Sequence, residues 1–71
     1  MPLFAGIDAG STTAKVVLID DAGAVVARSI RPGGANLAAA AGAALRDALS
    51  AGGAERDDVA GIVATGYGRN A

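Results

Sequence analysis

The sequence lacks cysteine and histidine and contains only two aromatic residues, Phe4 and Tyr67. Without cysteine, the chain can form no disulfide and can supply no thiolate to a zinc or iron–sulfur site. With so few aromatics, its core must be built from small aliphatic side chains, of which alanine is the most abundant. At 71 residues the chain forms at most one small domain, which buries a modest fraction of its surface.

Charge of either sign is sparse and dispersed, with six basic and seven acidic residues and a net charge of −1. Neither a basic patch for nucleic acid nor an acidic tail is present. No apolar run approaches the roughly 18 residues of a membrane helix. The N-terminus also lacks a basic region followed by a long apolar stretch, the pattern of a signal peptide. We therefore expect a cytoplasmic protein that binds neither nucleic acid nor membrane.

The stretch with the most chemistry is GIDAGSTTAK, residues 6–15. An apolar run leads into Asp8, and a second apolar run follows Lys15. Between them lie a glycine that permits a tight turn and three hydroxyl residues, Gly10, Ser11, Thr12 and Thr13. Consecutive N–H groups in a tight turn bind anions, hydroxyl groups donate to phosphate oxygens, and an ammonium group adds a point charge.

A polyphosphate carrying a divalent cation fits this set of groups. Asp8 would hold magnesium, through water, because magnesium gives up its hydration shell reluctantly. The helix-initiating phosphate loop, Gly-x-x-x-x-Gly-Lys-Ser/Thr, is absent, and the residues after Lys15 are typical of a strand. The element is therefore a strand–turn–strand hairpin. From residue types alone, an ordinary hairpin with a polar turn remains the alternative.

The pattern predicts three strands, a helix and a fourth strand. The strands are expected over Leu3–Ile7, Ala14–Ile19, Ala24–Ile30 and Val59–Ala64. The first three form an antiparallel meander. The first strand is apolar without alternation, which is typical of strands covered on both faces. Only one helix is available to cover the sheet, so we expect one of its faces to be uncovered here. Arg28 and Arg31 place the third strand at an exposed edge of the sheet. The residues RPGG, 31–34, then break the strand pattern.

The helix is predicted from Leu37 to Ala51, with Asn36 as its N-cap and Gly52-Gly53 ending it. Its core stripe is expected at every fourth residue: Leu37, Ala41, Leu45 and Leu49. Arg46 and Asp47 are expected to face water, and Gly42 to mark a close approach to the sheet. The charged segment 55–58 reads as a solvated connector.

Strand direction determines which residues at the ends of the strands lie close together. A strand–helix–strand crossover makes the fourth strand parallel to the third and therefore to the first. If the fourth strand pairs with the first, Asp8 and Gly66 lie at the same rim of the sheet. Tyr67, Gly68 and Arg69 would then face the polar turn. Ligands commonly bind outside the carboxyl ends of strands in such sheets.

At this point the chain resembles a known family. Residues 6–15 look like the first phosphate motif of the actin, sugar kinase and Hsp70 ATPase superfamily. The segment ATGYGRN, residues 64–70, looks like the signature of the activator ATPases of 2-hydroxyacyl-CoA dehydratases, which include the ATPase subunits of benzoyl-CoA reductases. The first motif alone specifies only the superfamily, and the pair narrows it to this group.

The resemblance implies an α/β fold, the actin-like (ribonuclease H-like) ATPase lobe. Members of the group are homodimers bridged by one four-iron, four-sulfur cluster, in which ATP hydrolysis drives an electron at low potential to a dehydratase or CoA-ester reductase. Asp8 would be catalytic and would serve magnesium. The nucleotide-binding residues would be Gly10, Ser11, Thr12, Thr13, Lys15, Gly66, Tyr67, Gly68 and Arg69. Packing remains the alternative for Tyr67, and an ion pair with a carboxylate the alternative for Arg69.

The chain departs from the family in lacking the cluster cysteines, the second phosphate motif and the adenosine pocket. We therefore interpret residues 1–71 as the N-terminal part of the first lobe of a longer protein, and expect this piece alone to hold no cluster and to turn over no ATP. Two other functions are compatible with the first motif. One is a small-molecule kinase, such as an amino-sugar kinase, and the other is a non-catalytic actin-like scaffold.

Overall fold

Four strands and one long helix make up the fold in the computed structural model, which describes residues 2–10, 12–33 and 36–66. The elements in chain order are β1 (Leu3–Ala9), β2 (Thr13–Asp20), β3 (Val25–Pro32), α1 (Leu37–Ala51), a 3-10 turn (Arg56–Asp58) and β4 (Val59–Gly66). The sheet order is β3-β2-β1-β4. β2 pairs antiparallel with both β1 and β3, and β4 pairs parallel with β1. This confirms the predicted meander and the crossover.

The strands extend beyond their predicted ends at the rim that carries the polar turn. β1 continues to Ala9, β4 to Gly66 and β3 to Pro32. Pro32 was expected to break the strand pattern, but β3 includes it. An edge strand tolerates proline because an N–H that faces away from the sheet forms no ladder hydrogen bond. The exposed edge expected from Arg28 is confirmed.

The β2–β3 turn at the opposite rim is organised by one carboxylate. Asp20 Oδ1 accepts hydrogen bonds from the N–H groups of Ala22 and Ala24, both at 2.9 Å. Gly23 adopts a φ of 86°, a conformation that side chains rarely adopt, as its place in the turn predicted. The turn that joins these two strands is therefore fixed by local side-chain and backbone chemistry.

Both predicted ends of α1 are confirmed. The Asn36 side chain accepts a hydrogen bond from the Ala39 N–H at 3.0 Å, which satisfies one free donor of the first turn. Gly52 is the C-cap, and Gly53 follows with a φ of 66°. The connector after α1 is a short exposed 3-10 turn in which Asp58 accepts from the Glu55 N–H at 2.8 Å. Its exposure confirms the predicted solvated connector, whereas its 3-10 turn was not predicted.

Alanine forms the centre of the contact between α1 and the sheet. The buried helix residues are Ala40, Ala44, Ala48 and Leu49, and the last three pack on Ala5, Val16 and Leu18. The predicted stripe is confirmed at Leu49 and displaced by one position elsewhere, since Leu37, Ala41 and Leu45 are only partly buried. Leucine is more hydrophobic than alanine, but in this helix alanine occupies most of the positions that face the strands.

The close approach between helix and sheet lies at Gly52 and not at Gly42. A Cβ at Gly42 would meet only the Arg46 guanidinium, at 3.8 Å, so that expectation was wrong. A Cβ at Gly52 would lie 3.1 Å from Val26 Cγ1 and 3.4 Å from Ala27 Cβ. The glycine that ends the helix therefore also lets it approach β3.

Two polar contacts fasten α1 to β3. The Ser29 hydroxyl donates to the Ala44 carbonyl. Arg31 donates to both carboxylate oxygens of Asp47, at 2.5 and 3.1 Å. Arg46 is exposed as predicted, whereas Asp47 is only half exposed because it faces β3. The edge strand is thereby tied to the helix as well as to β2.

The sheet face opposite α1 is apolar and uncovered among the described residues. Phe4 is 39% exposed, Ile30 58% and Val63 70%. The expectation that a single helix leaves one sheet face uncovered is therefore confirmed, since Phe4 and Gly6 on β1 are exposed while Leu3 and Ala5 are buried. One helix covers one face, and we call the other the open face.

We expect the purified chain to self-associate, because it combines the open face with an unprotected β4 edge. Val59–Gly66 carries no charge, whereas β3 carries Arg28 and Arg31. Val63→Lys should therefore suppress association, measured by sedimentation velocity, more strongly than the matched Ile30→Lys on β3, since both place a charge on the open face and only Val63 lies on the β4 edge. A monomeric, sharply melting unmodified chain would contradict this expectation.

The Arg31 hydrogen bonds, with smaller contributions from the charges of Arg31 and Arg46, hold the pKa of Asp47 below its ordinary value. Arg31→Gln should raise the Asp47 pKa toward that value in a carbon-detected NMR titration. Arg46→Gln should raise it less. Because the folded-state pKa is lowered, the pair stabilises the fold above the ordinary Asp pKa, and this contribution is lost as pH falls through the folded-state value. Equal effects of the two substitutions would exclude the Arg31 bond as the main cause.

Candidate functional site

The predicted site residues that the structure describes lie at one rim of the sheet. Asp8 stands directly opposite Lys15 in the β1–β2 register, and Thr65 is the β4 position beside Asp8. Gly66 pairs with Ala9 at the end of the same ladder. The predicted juxtaposition of Asp8 and Gly66 is therefore confirmed, and its cause is the parallel pairing of β1 with β4.

Asp8 and Lys15 both project from the open face. Directly opposed residues of an antiparallel pair share a face, and the neighbours on the helix side, Ile7 and Val16, are more buried. The two charged side chains border a shallow depression of 370 Å³, which is also lined by Gly6, Ile7, Val17 and Val63. A carboxylate and an ammonium group thus lie where the apolar open face meets the rim of the polar turn.

The β1–β2 turn is held from both sides by backbone hydrogen bonds. The Gly10 N–H donates to the Thr13 carbonyl at 2.8 Å, which closes the hairpin. The Gly33 N–H, just after β3, donates to the Thr12 carbonyl at 2.7 Å. Thr12 is exposed and Thr13 half buried, so both the hydroxyl residues that are described lie at the surface of this turn.

The remaining predicted site residues fall outside the described part of the chain. They are Ser11, Tyr67, Gly68 and Arg69. Their predicted roles in nucleotide binding therefore stay predictions. The structure does bring together Asp8, Gly10, Thr12, Thr13, Lys15 and Gly66, which carry the rest of the predicted site.

Gly33 is a residue of the site that the sequence did not identify. It was interpreted only as part of a break after the third strand, yet it is buried and bonded to the turn. A Cβ at this position would lie 2.6 Å from Leu37 Cδ2 and 3.3 Å from the Thr12 carbonyl carbon and oxygen. The signal in the sequence was the glycine itself, which permits this approach.

The site fits magnesium as a companion of phosphate and not as a resident ion. Within residues 2–10, 12–33 and 36–66, no three acidic, cysteine or histidine side chains gather as metal ligands. Magnesium at phosphate sites is commonly held by one or two carboxylates, substrate phosphates and water, which matches the single carboxylate of Asp8. An iron–sulfur cluster does not fit, because the chain has no cysteine.

Comparison with protein families gives a match over nearly the whole chain. The profile of the BadF/BadG/BcrA/BcrD ATPase family matches residues 5–71. The chain therefore belongs to this family of ATPases. Comparison with curated proteins gives no significant match.

Solved structures agree with this assignment. The (R)-2-hydroxyglutaryl-CoA dehydratase component A of Acidaminococcus fermentans is 31% identical with a TM-score of 0.86, over 99% of this chain and 27% of that one. The activator of the 2-hydroxyisocaproyl-CoA dehydratase from Clostridium difficile, with bound ADPNP, is 29% identical with a TM-score of 0.80, over 94% and 25%. A glycerol dehydratase reactivase is 33% identical with a TM-score of 0.76, over 90% and 12%.

These matches confirm the predicted fold, a partial actin-like ATPase lobe with β1 and β4 parallel. The chain spans about a quarter of the length of the two dehydratase proteins. In the part of the chain that the structure describes, no helix is long and apolar enough to cross a membrane.

Proposed function

We propose that residues 1–71 are the N-terminal part of the first lobe of an ATPase and supply its first phosphate-binding element. The observation that carries the proposal is the convergence of Asp8, Lys15, the Gly10–Thr13 turn and Gly66 at one rim. One similar structure, the Clostridium difficile activator, holds the ATP analogue ADPNP. The proposed ligand is therefore ATP with magnesium.

Each residue at the rim has a distinct task. Lys15 supplies positive charge to the β- or γ-phosphate, and the hydroxyls of Ser11, Thr12 and Thr13 donate to its oxygens. Asp8 accepts hydrogen bonds from water in the magnesium shell and so fixes the ion relative to the phosphates. Gly66 at the end of β4, and Tyr67, Gly68 and Arg69 after it in the sequence, would bind the nucleotide. Magnesium, when bound, neutralises charge on the phosphate oxygens that these residues orient.

The wider activity is an extension of the same proposal. The ATPase would be a cytoplasmic homodimer that drives low-potential electron transfer to a 2-hydroxyacyl-CoA dehydratase or a related CoA-ester reductase. The family match and the two dehydratase proteins support this. The cluster through which such an electron would pass cannot be held by these residues, which lack cysteine. This chain's share is to bind and orient the phosphates.

The test is magnesium-dependent binding of ADPNP, measured by calorimetry. Lys15→Gln should weaken binding by about tenfold because it removes a cation that attracts phosphate, and Asp8→Asn should do the same because it removes the carboxylate that holds hydrated magnesium. Each is a loss of about 1.4 kcal/mol. Asp21→Asn is the matched control for the carboxylate, at the opposite rim, and Arg46→Gln is the control for the cation, on the outer side of α1. Both controls should bind as the unmodified chain does.

Equal losses in the Asp8 and Asp21 variants would contradict the proposed site, because they would show a nonspecific effect of charge. Binding that is insensitive to both Asp8 and Lys15 would do the same. The chain should also bind ADPNP without hydrolysing ATP, because the second phosphate motif of the family is absent from its sequence. Magnesium-dependent turnover by the purified chain would refute this part of the proposal.

A further inference from the structure

The segment after β3 reaches across the rim to the polar turn. Its contact is the Gly33 N–H, which donates to the Thr12 carbonyl at 2.7 Å. Gly33 is buried, and its missing side chain is what permits the approach, since a Cβ would lie 3.3 Å from the Thr12 backbone. The same Cβ would lie 2.6 Å from Leu37 Cδ2, at the start of α1.

We propose that Gly33 is a positioning residue for the phosphate-binding turn. The inference rests on the proposed function, because it assumes that the turn binds phosphate. Gly33 touches neither phosphate nor metal in this proposal. It acts through the Thr12 peptide, whose orientation it fixes.

The physical reason lies in the carbonyl oxygens of the turn. A carbonyl dipole aimed at phosphate repels it, whereas N–H and O–H groups attract it. The Thr12 carbonyl is directed to Gly33 on the β3 side, and the Thr13 carbonyl to Gly10 on the β1 side. Two successive carbonyls are thus engaged by protein donors, and the turn is braced before the ligand arrives. Donors arranged in advance cost no reorganisation on binding.

The position of Gly33 also explains why alanine in its place would disturb the turn. At 3.3 Å from the Thr12 carbonyl carbon and oxygen, a methyl group is tighter than ordinary van der Waals contact, and the neighbour is backbone. Leu37 Cδ2 is the end of a flexible side chain and can move away. The Thr12 peptide must therefore shift by a few tenths of an ångström, even after Leu37 has adjusted.

Gly33→Ala should weaken magnesium-dependent ADPNP binding by about tenfold. It should also shift the amide NMR signals of Thr12 and Thr13 in the absence of nucleotide. Gly52→Ala is the matched control. Its methyl group would be similarly crowded, 3.1 Å from Val26 Cγ1 and 3.4 Å from Ala27 Cβ, but at the other end of α1. Gly52→Ala should disturb the contact of α1 with β3 and leave both the affinity and the Thr12 signal unchanged.

A double variant separates the two contacts of Gly33. In Gly33→Ala/Leu37→Ala the contact with the helix is relieved and the contact with Thr12 remains. We expect the double variant to bind ADPNP more weakly than the Leu37→Ala single variant, by the same factor by which Gly33→Ala alone weakens binding. Full recovery would overturn the proposal, because the effect of Gly33 would then act through the packing of α1. If Gly33→Ala fails to fold, the double variant can replace it in the binding measurement, because it removes the contact between the new methyl group and Leu37.

The remaining outcomes are also decisive. Unchanged affinity in Gly33→Ala, with a normal affinity in the unmodified chain, would overturn the positioning role and leave the proposed function intact. Equal losses of affinity in Gly33→Ala and Gly52→Ala would overturn it as well. Failure of the unmodified chain to bind ADPNP would refute the proposed function. An unchanged Thr12 amide signal in Gly33→Ala without nucleotide would separately overturn the claim that Gly33 fixes the turn.

Discussion

The parallel pairing of β1 with β4 is the constraint on which the rest of the structure depends. Strands joined by a helical crossover run in the same direction, so the carboxyl ends of β1 and β4 meet at one rim. Asp8 and Gly66, which are distant in sequence, become neighbours for that reason. With an antiparallel β4, the turn after β1 would face the start of that strand, and no common site would exist.

The same rim is stabilised from the side of β3. Arg31 bonds to Asp47 of α1, Ser29 bonds to the helix backbone, and Gly33 bonds to the turn. Ser29 and Arg31 of β3 therefore connect the edge strand to the helix, and Gly33, just after β3, connects it to the turn. Since side chains alternate along a strand, residues 29 and 31 both reach the helix. The backbone just beyond them then turns toward Thr12.

Most of the architecture could be predicted because it follows from local chemistry. Strand and helix boundaries follow apolar runs, the Asn36 cap and Gly52, and strand direction follows from the crossover rule. The helix stripe was displaced because hydrophobicity favoured leucine, whereas close packing on the strands selects alanine. The role of Gly33 could not be read from the sequence, because a backbone bond to Thr12 requires no particular side chain and leaves only a glycine as its trace.

Proteins that share this element differ in what they act on, since the similar structures include two proteins of 2-hydroxyacyl-CoA dehydratases and a glycerol dehydratase reactivase. The central claim is therefore about where a nucleotide's phosphates bind. The most direct measurement is paramagnetic NMR with manganese and ADPNP added to the purified chain. The account predicts that the amide signals of Gly10, Thr12 and Gly66 broaden first, while that of Gly23 at the opposite rim does not. Broadening at Gly23, or at neither rim, would contradict it.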